Sequence, residues 1–335
     1  MHRSPLPPLV DSFGRRHENL RISVTDRCNI RCFYCMPAEG LRFLPRSELL
    51  TFEEIARVVR ALTPLGVRKL RLTGGEPLVR SDLPQLVSML AATPGIDDLA
   101  LTTNGLLLAE HAEALRAAGL RRLNVSLDAL DEAKFEQIAR RRGLQQVLAG
   151  IAAAQRAGFD NIRLNAVALA GLTEEEVVPL CDFALAHELD LRFIEFMPLD
   201  AEQNWTDADV LTGEQLRLMV EAEFGPLTPR TAPTPSQPAT DYWFANGRGR
   251  IGFINPVSQP FCDRCDRLRL TAEGQVRNCL FSTREWDARA LLRAGADDAA
   301  LQQLVRDCVA AKAPAHGIGQ GGFERPQRAM YQIGG

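Results

Sequence analysis

The sequence predicts an α/β fold: a partial (β/α)6 TIM-like barrel with a smaller C-terminal α+β domain closing the barrel mouth. Three observations predict it. From residue 20 to residue 196, short β-type runs alternate with amphipathic helical stretches, the rhythm of a parallel sheet built from βαβ units. Inside the β-type runs, apolar residues alternate with polar and charged ones. At Met197-Pro198 the rhythm stops, and short strands and loops replace it.

Residues 1–19 are rich in Pro and Arg and read as a flexible N-terminal arm. The β-type runs follow at 20–25, 67–73, 98–103, 121–128, 161–168 and 191–196, with helical patterns at 52–65, 83–92, 109–118, 144–157 and 174–187. Residues 20–197 thus form the barrel. Six units are too few to close eight strands, so the barrel is expected to stay open. Residues 198–316 form the second domain: a helix at 213–224, a Pro- and Thr-rich loop at 225–240, short strands near 242–244 and 250–254, and helical patterns over 284–311. Residues 317–335 are a Gly-rich tail.

The alternation inside the strands carries a chemical message. Leu20, Ile22 and Val24 alternate with Arg21, Ser23 and Thr25; Leu70 and Leu72 with Lys69, Arg71 and Thr73. Leu123, Val125 and Leu127 alternate with Asn124, Ser126 and Asp128; Ile162 and Leu164 with Arg163 and Asn165. Successive strand side chains point to opposite faces. Helices pack on the apolar face, so the polar set points into the lumen. Such a lumen is no dry core, because unpaired buried charge costs too much; it holds water or a polar ligand. An open sheet with one wet face gives the same alternation. In the sixth run Arg192 and Glu195 have opposite parity, so either a bulge intervenes or only one of them faces inward.

With 46% hydrophobic and 24% charged residues, 335 residues can bury a sizeable core. A formal net charge of −3 offers no global field for nucleic acid, so any anion site is local. Neither an apolar run long enough to span a membrane nor the apolar stretch of a secretory signal is present, which points to the cytoplasm.

In a reducing compartment, eight cysteines are not expected to form a disulfide framework. Six fall into two groups: Cys28, Cys32 and Cys35, and Cys262, Cys265 and Cys279. Cys181 and Cys308 stand alone in helical patterns and read as small buried hydrophobes. Three thiolates on one loop can wrap one inorganic centre. Spacing leaves an iron–sulfur cluster and zinc both open for the first group, although no fourth ligand lies nearby. For the second group the Cys-x2-Cys half-site makes zinc a serious rival.

The segment from Leu20 to Pro37 contains the Cys-x3-Cys-x2-Cys signature of the radical S-adenosylmethionine superfamily. Its flanks resemble one family within it, the GTP 3′,8-cyclases of molybdenum-cofactor synthesis. The resemblance runs from about Arg15 to Gly335 and includes Leu72-Thr-Gly-Gly-Glu-Pro77, Thr102-Thr-Asn-Gly105, Asn124-Val-Ser-Leu-Asp128, Phe193-Ile-Glu-Phe-Met-Pro198, Phe261-Cys-Asp-Arg-Cys-Asp-Arg-Leu-Arg-Leu270 and Ile333-Gly-Gly335.

The resemblance implies two [4Fe–4S] clusters, each with one open iron. S-adenosylmethionine would bind the first, beside Tyr34, Gly75, Glu76, Ser126 and Met197, and give a 5′-deoxyadenosyl radical. The purine of GTP would bind the second. Glycines 74 and 75 would let the backbone approach the methionine moiety. Arg21, Arg71, Thr102, Arg163 and Arg267, Leu268 and Arg269 would contact GTP, with Arg267 and Arg269 as candidates for a direct part in catalysis. Position 163 is commonly Lys in the family and Arg here. Physical reasoning supports the anion: Arg267 and Arg269 share one side of an extended chain and, with Arg21, Lys69, Arg71, Arg163 and Arg192 if it faces inward, form a cation set that a triphosphate would neutralise. The resemblance also implies a homodimer and handover of product to the cyclic pyranopterin monophosphate synthase. Two other readings fit parts of the pattern: a different radical S-adenosylmethionine enzyme with an auxiliary cluster, and a zinc-stabilised nucleotide-binding module. The sequence identifies no electron donor.

Overall fold

A computed structural model of the chain describes residues 6–245 and 247–334. Six strands come first: β1 (Asn19–Ser23), β2 (Lys69–Thr73), β3 (Asp98–Thr103), β4 (Arg122–Ser126), β5 (Ile162–Ala168) and β6 (Asp190–Glu195). Between them run α1 (Phe52–Leu62), α2 (Leu83–Ala91), α3 (Leu108–Ala117), α4 (Glu132–Ala139), α5 (Leu144–Arg156) and α6 (Val177–Ala186). The C-terminal part adds α7 (Gly213–Phe224), β7 (Thr228–Pro229), β8 (Thr240–Trp243), β9 (Arg250–Ile254), β10 (Arg267–Leu270), β11 (Gln275–Arg277), β12 (Trp286–Asp287), α8 (Ala288–Arg293), α9 (Asp298–Ala310) and α10 (Met330–Ile333). Among the described residues no helix is long and apolar enough to cross a membrane.

β1 to β6 pair in sequence order, all parallel. Right-handed crossovers without a reversal of strand order put every connecting helix on one face. That face is apolar: Leu20, Ile22, Leu70, Leu72, Leu123, Val125 and Leu164 are each at most 1% exposed. Burying each contributes on the order of 1.5–3 kcal/mol. The other face is polar, and on it Arg71 of β2 feels the charge of Arg192 of β6, four strands along the sheet.

The sequence suggests a smaller C-terminal domain over the mouth. The strands of that part join the sheet at both edges. β9 extends it in parallel beyond β6, followed by antiparallel β8 and β7. β10 adds in parallel to β1, followed by antiparallel β11 and β12. The register of β6 is unbroken, so the parity question resolves without a bulge. Arg192 faces inward to Asp241 at 3.2 Å, while Glu195 faces outward and accepts from the Gly213, Val257 and Ser258 amides.

Two segments differ from expectation. α4 is only eight residues long and buries a small face of Phe135, Ile138 and Ala139; Asp131 caps it by accepting from the Lys134 amide at 2.8 Å. The supposed N-terminal arm is docked over residues 9–19. Leu9 is buried and bonded to the Leu65 carbonyl, and Arg15 donates to Asp11, Cys262, Ala313 and Pro314. Composition showed its prolines but not these partners, which lie far along the chain.

Candidate active site

Cys28, Cys32 and Cys35 lie in the loop after β1, at the C-terminal ends of the parallel strands, where barrel sites form. The loop hangs on the end of α4: the Arg31 and Phe33 amides donate to the Ala139 and Ile138 carbonyls at 2.9 and 3.1 Å. Within it the Cys35 and Met36 amides both donate to the Cys32 carbonyl. Burial pushes the Cys28 thiol up to about 11. It pushes Cys32 and Cys35 higher still, with repulsion from the neighbouring cysteines adding to it. The Asn104 amide reaches Cys28 Sγ at 3.7 Å, and the Tyr331 backbone N–H donates to Cys35. Three thiols, Cys32 buried and Cys28 and Cys35 half-buried, that resist joint ionisation yet are supplied with N–H donors suit a positively charged metal centre that takes them as thiolates. They fit an iron–sulfur cluster with one iron left open to an outside ligand.

The rim around this loop comes from successive strand ends. Glu76, after β2, is buried and pushed up to about 7; it accepts from the Asn104 amide, Thr103 Oγ1 and the Leu78 amide at 2.6, 2.8 and 2.9 Å. Tyr34 O–H donates to Asp128 at 2.6 Å, and burial pushes that carboxyl up to about 6. Ser126 ends β4, and Met197 follows β6.

The second cysteine group lies at the other end. Cys262 and Cys265 precede β10, which runs parallel to β1, and Cys279 follows antiparallel β11; all three therefore sit at the N-terminal ends of the barrel strands. With Arg15, Lys312 and His316 they line a cavity of about 320 Å3. Each sulfur has a donor. The His316 amide serves Cys262, the Phe281 amide serves Cys279 at 3.5 Å, and Lys312 Nζ lies 3.6 Å from Cys265 Sγ. Burial pushes Cys265 up, but Arg267 and Lys312 overcome it and hold the thiol at about 6. Among the described residues no three His, Cys, Asp or Glu side chains form a site for a single metal ion.

Between the two ends runs the cation set. Arg269, Arg21 and Arg71 stand side by side across β10, β1 and β2. Burial pulls Arg21 down to about 10, with the charge of Arg267 adding to it, and leaves its Nε without a partner. Burial pulls Arg71 well below its ordinary value, helped by the charges of Arg21, Arg122, Arg163 and Arg192. Arg269 is lowered likewise by burial, Arg21 and Arg267. Lys69 lies on the same face of β2, one inward position nearer the second cysteines. Arg71 donates to Thr102 Oγ1 at 3.3 Å and, with the Asn124 amide turned to meet it, to Asn124. Two of the cations have counter-ions, Asp190 for Arg163 at 3.5 Å and Asp241 for Arg192. Among the described residues the arginine row has no acidic partner, so the polar face is suited to receive an anion.

Residues 22–184 match the Radical SAM superfamily, and residues 189–318 match Molybdenum Cofactor Synthesis C. The GTP 3',8-cyclase of Rhodopirellula baltica is 54% identical over 98% of this chain and 92% of its own length. That of Pelotomaculum thermopropionicum is 45% identical over 98% of this chain and 100% of its own length. The chain belongs to the GTP 3′,8-cyclase family. In fold it resembles SuiB of Streptococcus suis bound to S-adenosylmethionine, with a TM-score of 0.60 at 16% identity over 87% of this chain and 68% of that one. Membership in a radical S-adenosylmethionine family implies S-adenosylmethionine and an iron–sulfur cluster as cofactors.

Set against the GTP 3′,8-cyclase pattern, most inward residues fall where the strand parity put them. Four residues, Leu268, Gly74, Gly75 and Gly334, have a different rationale. Leu268 turns its side chain to the apolar outer face, fully buried, so only its backbone is available to a lumen ligand. Gly74 and Gly75 have their missing Cβ positions filled by the backbone of Thr25–Arg27, at 2.6 Å from the Thr25 oxygen and 2.4 Å from the Arg27 oxygen. Their smallness thus lets β2 dock on the segment leading into the first cysteine loop. Gly334 enters the lumen end beside Ser23 and Thr73, where a Cβ would lie 2.5 Å from Thr73 Oγ1, and its carbonyl accepts from Arg269. Gly335 lies outside the described residues. Strand parity could also have found Arg122, which shares the inward face with Asn124 and pairs with Asp98. Asp241 and Lys312 carry no local signal; only topology brings them in.

Proposed function

We propose that this chain converts GTP into (8S)-3′,8-cyclo-7,8-dihydroguanosine 5′-triphosphate, the first step of molybdenum-cofactor synthesis, inside one lumen between two [4Fe–4S] clusters. The observation that carries the reading is the row Arg269–Arg21–Arg71, without an acidic partner among the described residues, between two groups of three cysteines. Cys28, Cys32 and Cys35 hold the first cluster, and Cys262, Cys265 and Cys279 the second. When bound, the first supplies the single electron that reductive cleavage of S-adenosylmethionine requires.

The chain's own work is to bind, orient and enclose. The arginine row grips the triphosphate with guanidinium forks, and Lys69, Arg163 and Arg192 extend the positive wall. Glu76, poised near neutrality and already accepting three hydrogen bonds, offers a carboxylate to an amino group at the mouth. Tyr34, Ser126 and Met197 complete that pocket. Gly334 and Tyr331 cover the end of the lumen at the first cysteine loop and keep water from it. By resemblance alone, the chain works as a homodimer and passes its product to the cyclic pyranopterin monophosphate synthase.

The test is anaerobic incubation with GTP, S-adenosylmethionine and a low-potential reductant. The expected result is about eight irons per chain, four at each cysteine group, and 5′-deoxyadenosine released in step with a cyclised dihydro-nucleotide. Unchanged GTP, or four irons in fully reconstituted protein, overturns the reading.

A further inference from the structure

Lys312 follows α9 and is 5% exposed. Its ammonium has three N–H donors, and all three are used. They reach the Asn278 carbonyl at 2.7 Å, the Arg267 carbonyl at 3.1 Å and Cys265 Sγ at 3.6 Å. Asn278 precedes Cys279, and Arg267 opens β10 just after Cys265. One side chain thus ties together the two stretches of chain that carry Cys265 and Cys279.

The partners of this ammonium are a thiol and two carbonyls, with no carboxylate among them. A buried ammonium is costly without a negative counter-charge. Its neighbours make matters worse: its charge helps depress His17, and it adds to that of Arg267 around Cys265. Anionic thiolate sulfur is the counter-charge that relieves this. The first cysteine group has no equivalent. There the nearby Arg31 guanidinium is turned to the Cys28 and Ile30 carbonyls, and Cys28 Sγ faces the neutral Asn104 amide.

We propose that Lys312 is a positioning residue of the second cysteine site, which fixes the Cys265 and Cys279 segments around the cluster and raises that cluster's reduction potential through a charge-assisted N–H···S bond. This rests on the second cluster proposed above. Hydrogen bonds and positive charge at ligand sulfurs stabilise the reduced, more negative state. Loss of such an outer partner typically costs about 10- to 100-fold in metal affinity.

The test uses the full chain with Cys28, Cys32 and Cys35 replaced by Ala, so that only the second cluster is read. In that background Lys312→Met is expected to lower the potential in an EPR-monitored titration and to speed iron loss to a chelator about 10-fold or more. Lys312→Gln keeps two donors without the charge. It is expected to retain iron better than Lys312→Met while the potential still falls, and it carries the measurement if Lys312→Met does not accumulate. Lys312→Arg keeps the charge and is expected to hold the potential closest to that of Lys312. Four irons with unchanged potential and chelator rate in Lys312→Met and Lys312→Gln overturn the role of Lys312 alone. A background that binds no iron overturns the second cluster itself.

Discussion

Replacing Arg71 with Met separates a cation kept for binding from one kept for folding. Arg71 stands in register with Arg21, and its inward face also feels Arg122, Arg163 and Arg192. Two unit charges roughly 6 Å apart at an effective dielectric near 20 repel by about 3 kcal/mol. The bonds to Thr102 and Asn124 offset part of this. Met keeps most of the volume without the charge, and such replacements of buried charge are neutral or stabilising by about 1–4 kcal/mol. The nucleotide-free, cluster-loaded Arg71→Met chain is therefore expected to melt at the same temperature or a few degrees higher. GTP affinity is expected to fall, because one charge-assisted contact is worth about 1.5–3 kcal/mol, a loss of roughly 10- to 100-fold in Kd. Differential scanning fluorimetry and isothermal titration calorimetry read the two quantities on one preparation. A lower melting temperature with unchanged GTP affinity would refute the reasoning, since it would make Arg71 a structural residue.

Three further outcomes are expected. Gly334→Ala places a Cβ at φ 77° and 2.5 Å from Thr73 Oγ1, so the chain end is expelled rather than the fold lost; melting should hold while turnover drops at least about tenfold, and full turnover would count against the lumen role of the tail. Burial, followed by Lys312, holds His17 down at about 4 from an ordinary 6.5, so between those values the unfolded chain binds a proton that the folded one does not. Stability should fall as pH drops from 6.5 to 4, by up to about 3 kcal/mol, and urea unfolding of His17→Gln should show a flatter profile over that window. Tyr34→Phe removes the hydroxyl bonded to Asp128, whose carboxyl titrates near 6. The loss of about 1.5–3 kcal/mol should be larger at pH 8, where Asp128 is ionised, than at pH 5, and equal urea midpoints at both would contradict the pairing.

Strand parity made the polar sheet face legible in the sequence. Leu20 against Arg21, and Leu70 against Arg71, show which residues lie away from the helices, although a barrel and an open sheet with one wet face share that alternation. The same rule reached Arg192 once the β6 register fixed which of Arg192 and Glu195 turns inward. It failed where the partner is distant in sequence. Asp241 neutralises Arg192 from a strand that enters the sheet beyond β6, and Lys312 meets Cys265 from the end of α9; nothing local marks either residue. Docking of residues 9–19 was hidden for the same reason, since Arg15 binds carbonyls of residues 262, 313 and 314. Gly74 and Gly75 were visible as positions of close approach, but the sequence could not say that the approaching group is the chain's own backbone.

The unequal placement of positive charge argues that the two cysteine groups do different work. At the mouth, burial and mutual repulsion raise the thiols, and the nearby guanidinium spends its hydrogen bonds on carbonyls. The donors that reach sulfur there include the neutral Asn104 amide and Tyr331 N–H. At the floor, Arg267 and Lys312 hold Cys265 at about 6, and the arginine row begins on the strand that follows. The sequence order of the strands alone imposes this polarity, because β10 can join β1 in parallel only by bringing its preceding cysteines to the end opposite the first group.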